Sequence, residues 1–472
     1  MPAVFLIAAR DIIPSSQSIH AKLKDRSHLA VLQLLGMNAK KGKLEAMRHE
    51  DWYRIDNIAK IYPALAGTRS MTMYRVAATL TVPVEPETLQ NALDTVMQRF
   101  PYFKVRLRHG LFWAYLESNP HRLLVTEDTH NPLRPLIPGE LQGFLLNVRY
   151  TRHRIAVDIF HVLTDGYGAS IFLKTLTACY LTLVGHPVAP APLYGILDIQ
   201  ETPTAEERED AYKRYANFRR SRRPLASQAF HMQGTRRPGH HLTIICGQMP
   251  LERLSTVAKA HKVSITELIA SVYLYQLYQI QQRGGHRIDA PVRISIPVNM
   301  RRFFPSATLR NFFLFTFPGI EPAYGDYTFP EILKLVHHFM QSSINEKYLN
   351  ALMAANVSTE NNWLVRVCPL VLKNVLLRLV HRFTGESTFS GILSNLGNNP
   401  LPDDMAPWVS RLELLIGPSR CNPVNAGVIG SGGQMVINLT STIEETDFQR
   451  EFFRHFVRLG IPVRIESNRM RE

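Results

Sequence analysis

Cysteine is scarce in this sequence. The 472 residues include only four cysteines, and they are far apart: Cys179, Cys246, Cys368 and Cys421. None belongs to a Cys-x-x-C pair or stands near a histidine at metal-ligand spacing, which argues against a zinc site and a disulfide framework. We expect four free thiols, no bound metal and a reducing compartment, with the cytoplasm as the default location.

Long apolar runs and phosphate-binding glycine motifs are also missing. The N-terminal apolar run, Val4 to Ala9, is only six residues long and has no basic residue before it, so it is too short for a signal peptide or membrane span. No G-x-x-x-x-G-K-[ST], G-x-G-x-x-G, G-x-S-x-G or H-E-x-x-H pattern occurs. Nucleotide hydrolysis, nicotinamide chemistry and serine or zinc hydrolysis therefore lose support. The run from Gly430 to Gly433 is typical of a hairpin turn.

Acidic residues are outnumbered by basic ones. The chain has 54 Lys and Arg against 39 Asp and Glu, a formal net charge of +15. Such a surface favours anionic partners, including phosphorylated cofactors, acidic carrier proteins and anionic lipid. No nucleic-acid-binding motif accompanies the charge, so we expect no nucleic-acid partner.

The alternation of predicted strands and helices indicates two α/β halves. We expect an N-terminal extension or an early start at residues 1–46, a first half at 47–200, a charged helix and linker at 201–241, and a second half at 242–472. A capping box, Ser264 with Glu267, marks one helix start in the second half. Two halves of similar rhythm predict a cleft between them, where small-molecule sites tend to form. Among the predicted elements are strands at Met71–Val82, Tyr102–Arg108 and Arg154–Phe160, and helices at Pro86–Phe100, Tyr167–Leu183, Phe329–Ala355 and Trp363–His381.

One segment has a histidine and an aspartate at a spacing typical of a catalytic site. Ile155, Val157 and Ile159 alternate along a predicted strand, so that His161 leaves its end where the chain must turn before the next helix. Asp165 follows four residues later and is followed by Gly166, and no other histidine of the 18 has an aspartate at that spacing. We therefore expect an imidazole held by a tight loop that the carboxylate fixes.

The pattern His161-x-x-x-Asp165-Gly166 after an apolar strand resembles the acyltransferase motif of the chloramphenicol acetyltransferase-like superfamily. This superfamily includes condensation domains, polyketide-associated acyltransferases and alcohol acetyltransferases. Further matches keep the family's order: Arg99 to Leu107, Pro297 to Arg302, Leu309 to Phe312 and Leu393 to Gly397. One departure is Phe160, where many relatives have a second histidine. The resemblance implies an α/β fold of two subdomains that form a pseudo-dimer, with an active-site tunnel between them.

The resemblance also implies roles for particular residues. His161 is expected to act as general base, and Asp165, followed by Gly166, to anchor the loop by pairing with a basic side chain. Three candidates for that partner are Lys104, Arg106 and Arg293. The oxyanion or tunnel-lining group is left open among Asn299, Asn311, Ser394 and Asn395.

The expected activity is transfer of an acyl group from a thioester to a hydroxyl or amine, with hydroxyl favoured. Acyl-CoA is the preferred donor and serves as co-substrate, with no tightly bound cofactor. Two alternatives stay open: a condensation-type enzyme that takes its donor from an acyl carrier protein, and a non-catalytic binding protein on the same fold. The apolar, basic segment from Val365 to Arg382 suggests a hydrophobic acceptor or peripheral membrane contact, although a helix buried between the halves is the commoner explanation. We expect a monomer.

Overall fold

The computed structural model describes residues 52–65, 72–128, 132–133, 140–217, 227–237, 241–285, 287–417 and 419–469. The predicted extension at residues 1–46 lies outside the described residues. The described part is a mixed α/β structure with three sheets.

The first half contains an amphipathic helix that the hydrophobic period predicts. Pro86 occupies the first turn of its helix, where a missing N–H costs nothing, and Leu89, Leu93 and Val96 are buried along one face. The first-half elements are β1 (Trp52–Arg54), α1 (Tyr62–Leu65), β2 (Met73–Leu80), α2 (Pro86–Arg99), β3 (Val105–His109), β4 (Ala114–Ser118), β5 (Thr126–Glu127), β6 (Leu146–Thr151), β7 (Arg154–Phe160) and α3 (Gly166–Leu183).

The second half repeats the alternation with more strands. It follows α4 (Ala211–Tyr215), which lies in the predicted linker region. Its elements are β8 (Thr243–Pro250), α5 (Leu251–Ala260), α6 (Ile265–Gly284), β9 (Val292–Asn299), β10 (Phe313–Thr316), β11 (Gly319–Ile320), α7 (Phe329–Ser343), α8 (Glu346–Asn361), α9 (Trp363–Val367), α10 (Leu370–Thr384), β12 (Gly391–Asn398), β13 (Val409–Ile416), β14 (Val424–Ser431), β15 (Gln434–Ser441), α11 (Asp447–Arg458) and β16 (Arg464–Ser467).

Strand β13 is exchanged between the halves. It belongs to the second half by sequence, yet it pairs antiparallel with β2 and forms the edge of the first-half sheet, in the order β13-β2-β7-β6-β5. The second-half sheet runs β10-β9-β12-β14-β15-β8-β16, with β11 also on β9, and a small sheet has the order β1-β4-β3. Because β13 lies in the first-half sheet, its apolar residues Leu412 and Leu414 join the first-half core. The two halves are thus interlocked.

Two long predicted helices are each broken in two. The helix expected from Phe329 to Ala355 stops at Ser343, because the side chain of Asn345 accepts a hydrogen bond from the Tyr348 N–H and starts a new helix there. The helix expected from Trp363 to His381 is interrupted by Pro369, which has no N–H to donate.

Smaller differences have local causes. The strand expected from Tyr102 begins only at Val105, because Pro101 starts a short 3-10 turn. Strand β16 was not predicted, since its residues lack an apolar alternation and three of the four are exposed. The capping box at Ser264 and Glu267 is confirmed by both of its hydrogen bonds.

The charged stretch around residue 207 is packed rather than free in solvent. Glu207 lies on a short 3-10 turn and is buried, and its carboxylate accepts two hydrogen bonds from Arg99 at 2.7 and 2.9 Å. The backbone N–H of Leu309 donates to the Glu207 carbonyl at 2.9 Å. This stretch therefore ties α2 to the loop that precedes β10.

Candidate active site

His161 lies directly after β7, at the junction of the two halves. Its backbone N–H donates to the Thr72 carbonyl at 2.8 Å, which fixes the chain just before β2. The imidazole is stacked on Tyr62 with a ring separation of 4.7 Å and an interplanar angle of 12°. Tyr74 and Phe313 approach the same ring at 4.8 and 5.2 Å. Since Phe313 belongs to β10, both halves contribute to the walls of the site.

The Nδ1 atom of His161 is held by an amide. It lies 3.0 Å from Asn311 Oδ1. The Asn311 amide nitrogen donates to Asp56 Oδ2 at 3.0 Å, and the Asn311 backbone N–H donates to the same oxygen at 3.1 Å. Because an ionised carboxylate only accepts hydrogen bonds, Asn311 must turn its nitrogen toward Asp56 and its oxygen toward His161. Nδ1 therefore carries the proton in the neutral ring, and Nε2 is left with its lone pair.

Asp56 is in turn held by Arg310. The guanidinium Nη2 lies 2.6 Å from Asp56 Oδ1, and both side chains are buried. Burial raises the pKa of Asp56 above its usual value, and the charge of Arg310 opposes this rise. Arg310 and Asn311 thus bind the two oxygens of the Asp56 carboxylate, and this places the Asn311 side-chain oxygen against the imidazole of His161.

Burial also sets the charge of the imidazole. The pKa of His161 is lowered from its ordinary value of 6.5, chiefly because the charged ring would lose its hydration. Three kinds of interaction oppose this lowering of the pKa: hydrogen bonds to the backbone of His161 and Thr164, the charge of Asp165, and the hydrogen bond to Asn311. The net lowering keeps the ring neutral at pH 7, as a general base requires.

Asp165 is the N-cap of α3 and ties the two halves together. Its Oδ1 accepts from the Gly168 N–H at 3.1 Å. Its Oδ2 accepts from Arg301 Nη1 at 2.7 Å and from the Phe312 N–H at 2.9 Å. The carboxylate is therefore directed at the loop between β9 and β10, and all three of its contacts are structural.

The basic partner of Asp165 is Arg301, which corrects all three candidates from the sequence. Arg106 forms an ion pair with Glu117 at 2.6 Å, and Arg293 forms one with Glu321 at 2.6 Å. Lys104 lines an open surface cavity that does not include Asp165. The candidates failed because the pairing joins positions 136 residues apart, which no local pattern indicates.

Arg301 is itself fixed by a network of carbonyls. It donates to the backbone oxygens of Thr308 at 2.9 Å and Arg310 at 2.6 Å, and it lies 4.5 Å from the ring centre of Tyr167. The side chain is buried together with Asp165. A rearrangement of this ion pair would therefore break two hydrogen bonds to the loop that carries Asn311.

The four polar candidates from the sequence have different surroundings. Asn299 caps the turn after β9 by accepting from the Arg301 N–H at 3.1 Å, and Asn395 donates to Thr266 at 2.9 Å and accepts from the Gly397 N–H at 2.8 Å. Asn311 is occupied by His161 and Asp56. The three amides therefore have structural or positioning contacts.

Ser394 differs from these three residues. It is half-buried on β12, two residues before Leu396, and alternate residues of a strand share a face. Leu396 lies against the start of α3, because a Cβ added to Gly166 would come within 2.5 Å of its side chain. Ser394 thus lies on the strand face that looks toward the His161 loop.

Of the two glycines at the start of α3, Gly168 is more tightly packed than Gly166. A Cβ on Gly168 would lie 2.2 Å from the Leu309 carbonyl oxygen and 2.3 Å from Thr164 Oγ1. A Cβ on Gly166 would meet only the far end of the Leu396 side chain. The close approach of the two halves at this point therefore depends on Gly168.

Sequence reasoning missed the residues that surround and orient His161. Tyr62 and Tyr74 form its aromatic walls, Asp56 fixes Asn311, and Arg301 holds Asp165. Of these, only Arg301 had a signal, because it lies in a segment already matched to the family. Within the described residues there is no cluster of His, Cys, Asp or Glu that could hold a metal ion, and all four cysteines are free. No helix in the described ranges has the length and apolar character to cross a bilayer.

Several solved structures match nearly the whole chain. The trichothecene 15-O-acetyltransferase from Fusarium sporotrichioides has a TM-score of 0.54 at 11% identity and covers 87% of this chain and 96% of its own. A second F. sporotrichioides protein, complexed with coenzyme A and T-2, has a TM-score of 0.58 at 12% identity, with 89% and 100% covered. A mutant of the starter condensation domain of rhizomide synthetase, in complex with C8-CoA, has a TM-score of 0.53 at 14% identity, with 88% and 96% covered.

The chain has the chloramphenicol acetyltransferase-like fold. The expected pseudo-dimeric α/β architecture is confirmed. No protein-family model matches the sequence, and no curated protein matches it either. The likeness to the solved structures therefore lies in the arrangement of helices and strands rather than in sequence identity.

Proposed function

We propose that the protein is an acyltransferase that moves an acyl group from a thioester to a hydroxyl or an amine, with Nε2 of His161 as general base. The observation that carries this proposal is the chain of contacts from Asp56 through Asn311 to Nδ1. It leaves Nε2 unprotonated on a neutral ring. A neutral imidazole held in this tautomer has the form that proton abstraction requires, with a lone pair on the nitrogen that would face the acceptor.

The reaction begins when Nε2 takes the proton from the acceptor as its oxygen or nitrogen attacks the thioester carbonyl. The ring becomes an imidazolium, and its Nδ1–H bond to Asn311 becomes charge-assisted and stronger. When the tetrahedral intermediate collapses, the C–S bond breaks and Nε2 returns the proton to the thiolate. The products are an ester or amide and a free thiol. General-base assistance of this kind is worth roughly 10²–10⁴-fold in rate.

No covalent acyl-enzyme enters this scheme, because holding both substrates beside one base already removes much of the entropic barrier. For the oxyanion of the intermediate we propose the hydroxyl of Ser394. Its support is its place on the strand face toward the His161 loop, while the side chains of Asn299, Asn311 and Asn395 are occupied elsewhere.

We favour acyl-CoA as the donor. The net charge of +15 would attract its phosphates, and two of the similar structures contain coenzyme A or an acyl-CoA. A hydroxyl acceptor is favoured over an amine by the likeness to an O-acetyltransferase. A hydrophobic alcohol is the acceptor class that we would test first, since the site walls are formed by Tyr62, Tyr74 and Phe313.

A condensation-type reaction is the second candidate. It is favoured by the likeness to a starter condensation domain and by the same positive charge, which suits an acidic carrier protein. The two functions differ in the donor: the second would show a strong preference for carrier-bound acyl groups over free acyl-CoA. A non-catalytic binding protein would bind acyl-CoA without turnover.

The test is thiol release from acetyl-CoA and longer acyl-CoAs with a panel of alcohols and amines. We expect acceptor-dependent release by the wild type and a loss of at least about 100-fold in His161→Ala. His153→Ala is the matched control, because it removes a half-buried histidine at the other end of β7. Release that survives in His161→Ala would overturn the assignment of the base. Release only with loaded carrier protein would favour the condensation-type reaction.

A further inference from the structure

The segment made of α9 and α10 exposes an unusual number of large apolar side chains. Six of them lie within 17 residues and are between 49% and 75% exposed: Trp363, Val367, Val371, Leu372, Val375 and Leu379. On α10, positions 371, 375 and 379 are spaced by four and share one side of the helix. We call these six residues the apolar face. Single exposed apolar residues are ordinary, but several of them close together in one segment are typical of an interaction surface.

The opposite side of α10 is firmly attached to the first half. The Leu370 N–H donates to the Leu111 carbonyl at 2.8 Å, and Lys373 Nζ donates to the Phe112 carbonyl at 2.8 Å while lying 3.3 Å from the Trp113 ring centre. Arg378 lies at the edge of the apolar face, where its Nε donates to the Ala64 carbonyl at 2.6 Å while the residue stays exposed. The helix is thus held with the apolar face outward.

The charge of the segment selects the kind of partner. Residues 362–385 contain no acidic residue but include Arg366, Lys373, Arg378 and Arg382. Arg366 and Arg378 are exposed beside the apolar face. Within this segment the charges beside the apolar stripe are all positive, which is complementary to a surface that is apolar inside and anionic at its edge. A bilayer with anionic headgroups has that character.

We propose that the apolar face docks the protein on an anionic lipid membrane. The six apolar side chains would enter the boundary between headgroups and acyl chains, and Arg366 and Arg378 would contact lipid phosphates. Docking does not depend on the proposed acyltransferase activity. A consequence that does rest on it is the supply of a lipid-soluble acceptor, because α10 contacts α1 at Ala64, and Tyr62 of α1 is stacked on His161.

The test is co-sedimentation of the full chain with phosphatidylcholine vesicles, with and without phosphatidylglycerol. We expect binding that requires the anionic lipid and weakens with added salt. The double variant Val371→Asp with Val375→Asp should bind at least tenfold more weakly. Leu193→Asp, which alters a side chain 99% exposed elsewhere, is the control and should bind like the wild type. Tryptophan emission should shift to the blue on binding, and Trp363→Phe should remove much of that shift.

Three results would overturn the proposal: equal sedimentation with neutral and anionic vesicles, full binding by the double variant, or no binding at all. A wild type that is dimeric in solution, becomes monomeric in the double variant and ignores vesicles would assign the face to a second copy of the chain. Failure of docking can be separated from failure of the proposed function. The double variant should release thiol at the wild-type rate with a water-soluble alcohol, whether or not vesicles bind.

Discussion

Replacing Asp165 by alanine tests the anchor between the two halves without any knowledge of the substrate. The change removes three hydrogen bonds at once and leaves the Arg301 guanidinium buried without its carboxylate. Breaking one side of a buried ion pair costs about 3–5 kcal/mol, and loss of an N-cap alone costs about 1 kcal/mol. Because the two effects share one side chain, we expect a total near 3–5 kcal/mol rather than their sum.

The matched control is Asp447→Ala. Asp447 likewise lies at the start of a helix, in its first turn, and pairs with an arginine, Arg450, but both side chains are more than half exposed. Exposed pairs contribute about 0–1 kcal/mol. The measurement is the unfolding midpoint in guanidinium chloride at an unchanged slope, followed by tryptophan fluorescence. Similar midpoint shifts in the two variants would refute the anchor role.

A second substitution identifies the source of the loss. In Asp165→Ala with Arg301→Met, the unpaired buried charge is gone, so we expect part of the stability to return. Activity should fall in Asp165→Ala as well, because the Phe312 N–H loses its acceptor beside Asn311, which orients the imidazole. Because Arg301→Met also removes the hydrogen bonds to the Thr308 and Arg310 carbonyls, the double variant is compared with the sum of the two single variants. Losses of stability that simply add would contradict the stranded charge as the cause.

Three further predictions concern His161 and its loop. Asn311→Ala should lower kcat by about 10- to 100-fold, the value of a charge-assisted hydrogen bond of about 1.5–3 kcal/mol, and it should have no further effect in a His161→Ala background; a further loss there would contradict a role exerted through the imidazole. The rate should rise with pH through the pKa of His161, which lies below 6.5, and should be flat at neutral pH. The stability contributed by the neutral ring should be lost as pH falls below 6.5, because the unfolded chain then binds the extra proton. A rate that still increases above pH 7 would contradict this prediction. Gly168→Ala should destabilise the protein by about 1–3 kcal/mol, and Gly166→Ala by less, since only a movable leucine end is in its way; equal unfolding midpoints would be the contrary result.

Features set by neighbouring residues could be predicted from the sequence. Strand β7 has the predicted bounds, Arg154 to Phe160, because its alternation has a period of two and its end is marked by the turn before α3. The capping box of Ser264 with Glu267 is equally local. The position of His161 at a strand end follows from the same reasoning.

Features set by distant residues could not be predicted in this way. Asp165 contacts Arg301, and His161 contacts Asn311, only when folding places the loop between β9 and β10 of the second half against the first half. The periodicity of a sequence does not indicate which of several arginines will pair with the Asp165 carboxylate. The stacking of Tyr62 on His161 has the same origin, since a four-residue helix is defined by its contacts rather than by its propensity.

The exchange of β13 has a consequence for synthesis. As the chain leaves the ribosome, β2 is made more than 300 residues before Val409, its first partner in β13. During that interval the first-half sheet has an open edge with free backbone N–H and carbonyl groups and with apolar side chains beside them. Nascent chains that stop before Val409 should therefore be prone to aggregation and to chaperone binding. Separate expression of the first half should fail for the same reason, unless residues 409–416 are supplied as a peptide.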